Sequence, residues 1–319
     1  GFIGGPLARA NRDRGDHVVV LDSLVTGTAS QVPDGVELVQ ADIRDPNLPT
    51  IIRSHGPFDL VSHHAALKDV RLALLDPRAD ADVNVLGTLN VVRAAVDAEV
   101  GRLTFASSAA VYGDPPGFPT AEDAPIMPIS PYGIGKYAGE LYGRYFAHAR
   151  GLPVTAFRYG TVFGTHTPEA SEAGVIAIFA RRIVAGEGVV IYGDGLQTRD
   201  FVHVDDIVRA NLAVADAPPP APFVAFNVAT GVETSVVDLA SHMGALVEHP
   251  LIVRHEAAKA GEVRRNRMDA SRLHAATGWV PQVDMDSGLV AVIDRSEDTR
   301  LNSSHITISY AVFCLKKKK

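Results

Sequence analysis

Tyr132 and Lys136 stand four residues apart, a spacing that puts both on one face of a helix. A phenol with a reference pKa near 10 acts as a base near neutrality only at about 1.4 kcal/mol per pH unit of displacement. A neighbouring ammonium favours the phenolate. The same pair also arises by chance on ordinary amphipathic helices, but two features raise it here. Lys136 is one of only three lysines, with Lys68 and Lys259, before residue 295, where the other cationic side chains are arginines. Ser107 and Ser108 close the apolar run 102–106, which offers a hydroxyl at the carboxyl edge of a sheet, where such sites lie. Phenol, ammonium and hydroxyl together make a set that can take a proton from an alcohol.

A second constellation is Gly1, Gly4 and Asp22. A glycine turn opening a helix lets backbone N–H groups approach a pyrophosphate, and the helix dipole favours the anion. An acid about 20 residues further on, at the end of the next strand, accepts a ribose 2′-hydroxyl. Asp22 would repel a 2′-phosphate and is followed by Ser23 rather than arginine, which favours NAD over NADP. A glycine-rich helix start occurs in any α/β protein; Asp22 in its place makes cofactor binding the better reading.

These side chains need strands that end at one edge and helices that cover both faces. Short apolar runs at 18–21, 36–43, 59–66, 102–106 and 153–159 read as strands. Helical patterns at 6–14, 83–96 and 131–150 lie between them, the last closed by Gly151. Strands buried on both faces predict an α/β fold, a Rossmann-type doubly wound parallel sheet. Beyond about 164 the pattern loosens into helices at 175–185, 205–216, 235–247 and 270–277 and an extended 189–193, a smaller C-terminal α/β substrate domain. The expected division is 1–160 for the cofactor and 161–294 for the substrate. A strand should precede the glycine turn, and none does, so the chain reads as N-terminally truncated with its first strand missing. Residues 295–319 read as the translation of a sequencing-adapter run ending in poly-A, and are expected to stand outside the fold.

Composition narrows the function. The 319 residues are 46% hydrophobic, which excludes a disordered chain. No run approaches the roughly 18 apolar residues of a membrane span. Without 295–319 the chain carries 24 basic and 35 acidic residues, a charge of −11, which argues against a nucleic-acid or anionic-membrane partner. Cys314, the sole cysteine, excludes an intramolecular disulfide. His63 and His64 follow a strand with no carboxylate at ligand spacing. Adjacent side chains on a strand point to opposite faces, so they read as one core and one surface histidine. His203 with Asp205 and Asp206 reads as a helix N-terminus with its acids. No metal is assigned.

The ordered pieces GFIG (1–4), LDSLVTG (21–27), ADI (41–43), HHAALK (63–68), NVLGT (84–88), SSAAVYG (107–113), YGIGK (132–136), FRYGTVFG (157–164), GDGLQTRDFVHVDD (193–206) and GW (278–279) resemble the extended short-chain dehydrogenase/reductase family. The likeness is to its NAD-dependent epimerase/dehydratase branch, nearest the UDP-glucose 4-epimerases, and runs from residue 1 to about 293. It implies that Ser108, Tyr132 and Lys136 are the catalytic hydroxyl, base and lysine. It implies that Gly1, Phe2, Ile3, Gly4, Asp22, Ser23, Leu24, Asp42, Ile43, Ala65, Lys68, Asn84, Ser107 and Tyr159 meet NAD. It assigns Thr161, Tyr192, Arg199, Lys259, Glu262 and Asn266 to the nucleotide sugar. Lys259 stands where the family usually has an arginine, which keeps the charge but loses the bidentate fork. Thr161 replaces a common asparagine. Asn266 falls where a tyrosine borders the sugar 2-position, and the smaller amide is expected to admit an N-acetyl group.

Dehydratases and decarboxylases of the family resemble one another in carrying acids just after the catalytic hydroxyl; here those positions are Ala109 and Ala110. That points to 4-epimerisation of a UDP-hexose through a transient 4-keto sugar, in a cytoplasmic homodimer. A nucleotide-sugar dehydratase or reductase, and a non-catalytic NAD-binding sensor, remain as alternatives.

Overall fold

In the computed structural model the described residues are 1–25, 27–165, 174–247, 250–258, 262–301 and 313–317. The first part holds α1 (Gly4–Asp13), β1 (His17–Asp22), β2 (Glu37–Gln40), α2 (Leu48–His55), β3 (Leu60–His63), α3 (Val70–Leu75), α4 (Pro77–Ala81), a π-helical turn (Asp82–Gly87), α5 (Thr88–Asp97), β4 (Leu103–Ser108), α6 (Pro131–Arg150) and β5 (Val154–Tyr159). Then come β6 (Thr161–Phe163), α7 (Val175–Val184), β7 (Val189–Tyr192), β8 (Thr198–His203), α8 (Val204–Asp216), β9 (Phe223–Val228), β10 (Glu233–Ser235), α9 (Val236–Ala245), β11 (Val253–Glu256), α10 (Ser271–Thr277), α11 (Met285–Leu301) and β12 (Phe313–Lys317).

The five expected strands all form, and they pair in parallel within one sheet of order β2-β1-β12-β3-β4-β5-β9. Helices cover both faces. Val61, Leu103, Phe105 and Val154 pack against Ile52, Val91, Val92 and Phe146 on one side. Phe157 and Phe226 pack against Ile207, Ala210, Leu273 and Trp279 on the other. The doubly wound reading holds. A separate core of Phe179, Ile183, Ile191, Leu239, Met243 and Leu289 builds the smaller lobe.

Three boundaries differ from expectation. The run 59–66 leaves the sheet after His63, because Ala65 and Ala66 wall cavities at the sheet edge. The division at 160 is not a clean cut. β9 returns to pair with β5 (Ala156 opposite Ala225), and α8 packs on the same sheet, so 204–228 belong with the large unit. Of residues 295–319, the described ones at 295–301 and 313–317 join elements of the fold. α11 runs to Leu301, and β12 fills the centre of the sheet antiparallel to both neighbours, with Val20 opposite Cys314 and Val61 opposite Leu315. The cause is backbone accounting. Between β1 and β3, where a first strand was expected, unpaired N–H and C=O groups would face each other inside a covered sheet, and a short apolar segment satisfies them.

α6 carries the candidate chemistry and is fixed at both ends. The Ser130 hydroxyl accepts from the Gly133 N–H at 3.2 Å, Pro131 opens the first turn, and Gly151 ends the helix with φ 72°. Its body lies directly on β4: a Cβ on Gly139 would stand 2.6 Å from Cζ of Phe105.

Candidate active site

Two cavities open along the carboxyl edge of the sheet and share Ala66. The larger, about 470 Å3, is walled by Gly1–Gly4, Lys68, Ser107, Ser108, Tyr132, Lys136, Tyr159 and Thr161, with residues 174–177 from the smaller lobe. The other is walled by Asp22, Ser23, Asp42, Ile43, Ala65 and Leu67. A glycine-led helix start thus separates a reacting end from an acid-marked end, the layout a dinucleotide requires. Asp22 is 4% exposed, and its Oδ1 accepts from the Leu24 N–H at 2.8 Å. Burial pushes its carboxyl up to about 6, with the Leu24 N–H opposing. Asp42 is held by Arg44, whose Nη2 donates to Oδ2 at 2.7 Å and keeps the carboxyl low. The residues present fit NAD.

At the reacting end the Ser108 hydroxyl is hydrogen-bonded to the Tyr132 phenol. The Lys136 ammonium donates to the Ala106 carbonyl at 2.8 Å and lies 5.7 Å from the Tyr132 ring centroid. The lysine was expected to bring the phenol down. Instead burial pushes Tyr132 up to about 12; the Ser108 bond opposes this and the Asp80 carboxylate adds to it. Lys136 is itself brought down to about 8 by burial, with Asp80 opposing.

Some expected residues act from behind the wall. Asn84, 1% exposed within the π-helical turn, accepts from the Leu67 N–H at 2.9 Å and donates to the Leu67 carbonyl and to Asp80 Oδ1, both at 2.8 Å. It holds the loop that lines the cofactor cavities and does not line them itself. Ser107 borders the larger cavity beside Ser108, but its hydroxyl is spent on Glu140, donating to Oε1 at 2.5 Å. Arg199 bonds the Thr198 and Val263 carbonyls at 2.8 Å and Glu262 at 2.9 Å, so its fork pins the 262–263 segment. Tyr192 ends β7, where its carbonyl accepts from Gln197, and it does not line the larger cavity. The amide oxygen of Asn266 is buried without a hydrogen-bond partner among the described residues. Lys259 lies outside the described residues.

Sequence reasoning missed three groups. His64 is no surface histidine: it walls the larger cavity and its Nε2 meets the Tyr159 hydroxyl at 3.0 Å, to which Asn211 also donates at 2.8 Å. Burial and the Lys136 charge push its imidazole down to about 3, so it is neutral. Glu140 binds Arg158 through two contacts of 2.7 and 2.9 Å, both side chains almost fully buried beneath Ser107. Asp80, also buried, had no motif to mark it. His203 behaves as read, its Nδ1 accepting from the Asp205 N–H at 3.3 Å to cap α8.

A cofactor turn, an acid closing β1 and a Ser–Tyr–Lys set on one cavity define the extended short-chain dehydrogenase/reductase class. The model of the NAD dependent epimerase/dehydratase family matches residues 1–229, and the chain belongs to that family. It is 37% identical to a UDP-glucose 4-epimerase of Mycolicibacterium smegmatis over 300 residues, covering 92% of this chain and 95% of that one. Its fold is similar to the UDP-glucose 4-epimerase of Thermotoga maritima solved with UDP-glucose, with TM-score 0.89, 32% identity and coverage of 94% and 97%. The Thermus thermophilus UDP-glucose 4-epimerase in complex with NAD gives TM-score 0.87 and 33% identity, with coverage of 93% and 96%.

Proposed function

We propose that the chain is an NAD-dependent 4-epimerase of UDP-hexoses that works through a transient 4-keto sugar. The observation that carries this is the larger cavity's chemistry. Hydrogen-bonded Ser108 and Tyr132 face it beside Lys136, and among its described lining residues there is no carboxylate. Ala109 and Ala110, which follow the serine, have no proton to give, so elimination lacks its acid. Bound NAD supplies the two-way redox chemistry at sugar C4. Tyr132 takes the proton of the 4-hydroxyl and later returns it. Ser108 holds the same oxygen in line, and Lys136 supplies the positive charge that favours the phenolate. Asp22 and the Gly1–Gly4 turn bind the two ends of the cofactor, and Thr161, Asn266 and Arg199 face or frame the nucleotide sugar.

A cytoplasmic homodimer belongs to the same proposal. Supporting the dimer, Ile134, Leu141 and Tyr145 share one exposed face of α6, with exposed Leu72 and Leu75 on the adjoining α3. The test is conversion of UDP-galactose to UDP-glucose by the full chain with NAD. Tyr132→Phe is expected to lower kcat by about 10²–10⁴ while NAD affinity is kept. Near-normal turnover in that variant would refute the assigned base. Stoichiometric accumulation of reduced cofactor would instead mark a dehydrogenase.

A further inference from the structure

Gly135 lies between Tyr132 and Lys136 on α6, and a Cβ there would stand 3.3 Å from Asp80 Oδ2 and 3.2 Å from Asn84 Cβ. The absent side chain lets a carboxylate reach the helix backbone within the Tyr-x-x-x-Lys segment itself. Asp80 is 3% exposed, sits on α4 and lines neither cavity. Its Oδ1 accepts from Asn84, whose other bonds fasten Leu67. We propose that Asp80 is a positioning residue of this site, the counter-charge that holds Lys136 as an ammonium while its own carboxylate is fixed, through Asn84, to the loop carrying Leu67 and Lys68.

The surroundings of Lys136 leave that part to Asp80. On its own helix stands Tyr132, and Glu140 one turn on is engaged by Arg158 and Ser107. From β4 come the Phe105 ring, 5.2 Å away, and the Ala106 carbonyl. From the end of β3 and the residue after it come His63 and His64, which burial and the lysine's own charge keep neutral. Among the described residues, Asp80 is the carboxylate whose charge supports the ammonium against burial. The reverse holds too: burial pushes the Asp80 carboxyl up, and Asn84 and Lys136 oppose this. A lysine desolvated at the foot of a cavity loses its proton readily, and a neutral amine favours no phenolate.

This rests on the reading of Lys136 above only for its effect on turnover, so the test is made without turnover. The cofactor-free protein is labelled with acetic anhydride across pH, and modification of Lys136 is read by peptide mass spectrometry against Lys68. In the unaltered chain Lys136 should become reactive with a midpoint near 8. Asp80→Asn keeps an acceptor for Asn84 and removes the charge. The midpoint should fall by about one pH unit or more, which makes labelling at pH 7 roughly fivefold faster. Asp80→Glu should restore most of it. An unchanged midpoint in Asp80→Asn overturns the proposal. So does a midpoint below about 7 in the unaltered protein, a result that requires no variant to fold. In the epimerase assay, loss of the charge should move the descending limb of the kcat–pH profile to lower pH; a purely structural role lowers the amplitude and leaves the limb in place.

Discussion

Asp22→Asn should separate cofactor binding from stability. The Asp22 carboxyl is 4% exposed, receives one backbone N–H bond, and is pushed up from 3.8 to about 6 by burial, with that bond opposing. The sign follows from proton linkage. A folded-state pKa above the unfolded one stabilises the protein fully below about 4, and that contribution is lost as pH rises through 6. The displacement corresponds to about 3 kcal/mol of charged-form penalty at pH 8. Asparagine keeps the oxygen that faces Leu24 and carries no charge. The cofactor-free variant should therefore melt several degrees higher than the parent at pH 8, with the difference vanishing near pH 4. The same change removes a charged acceptor for a ribose hydroxyl, worth about 1.5–3 kcal/mol, so NAD affinity should fall roughly 10- to 150-fold. Thermal scans without cofactor from pH 4 to 8 and calorimetric titration with NAD check both halves. Identical melting across that range would refute the burial argument, and undiminished NAD affinity would remove Asp22 from the cofactor site.

Arg158→Met strands the Glu140 carboxylate beneath Ser107 and should destabilise the protein by about 3–5 kcal/mol, seen in denaturant unfolding, with Glu140→Gln in the same chain recovering part of it. Removing residues 302–319 takes away β12 and leaves β1 and β3 without their shared partner. The melting temperature should drop by more than about 10 °C, and an unchanged value would show that this strand does not hold the sheet. Asn266→Tyr should discriminate against N-acetylated UDP-hexoses by about tenfold in kcat/KM relative to plain ones, and an unchanged ratio would place Asn266 away from the sugar.

The placement of the candidate residues was legible where a residue type and a spacing coincide: Asp22 ends a strand, Tyr132 and Lys136 share a helix face, and Ser108 closes β4. Their buried neighbours were not. Asp80 comes up against α6 from another helix at Gly135, an approach with no local signature. His64 looks ordinary in the sequence because alternation along a strand says nothing once the chain leaves the sheet. Asn84 goes to the cofactor by resemblance, yet its amide is spent on Leu67 and Asp80. The tail reads as foreign by its origin, whereas strand pairing depends on unpaired backbone and an apolar run, which 313–317 supplies wherever it comes from.

Gly139 lets the backbone of α6 come down onto the Phe105 ring of β4, which fixes how closely the helix carrying Tyr132 lies on the strand that ends at Ser108. The opposite wall of the larger cavity, where the proposed sugar would lie, is different: it is lined by side chains from 161–163 and 174–177, which are free to be exchanged. A chain built this way can change what it accepts without retuning how it reacts. Altered sugar preference should therefore accumulate beyond residue 160, while changes on the buried side of α6 are purged whatever the substrate.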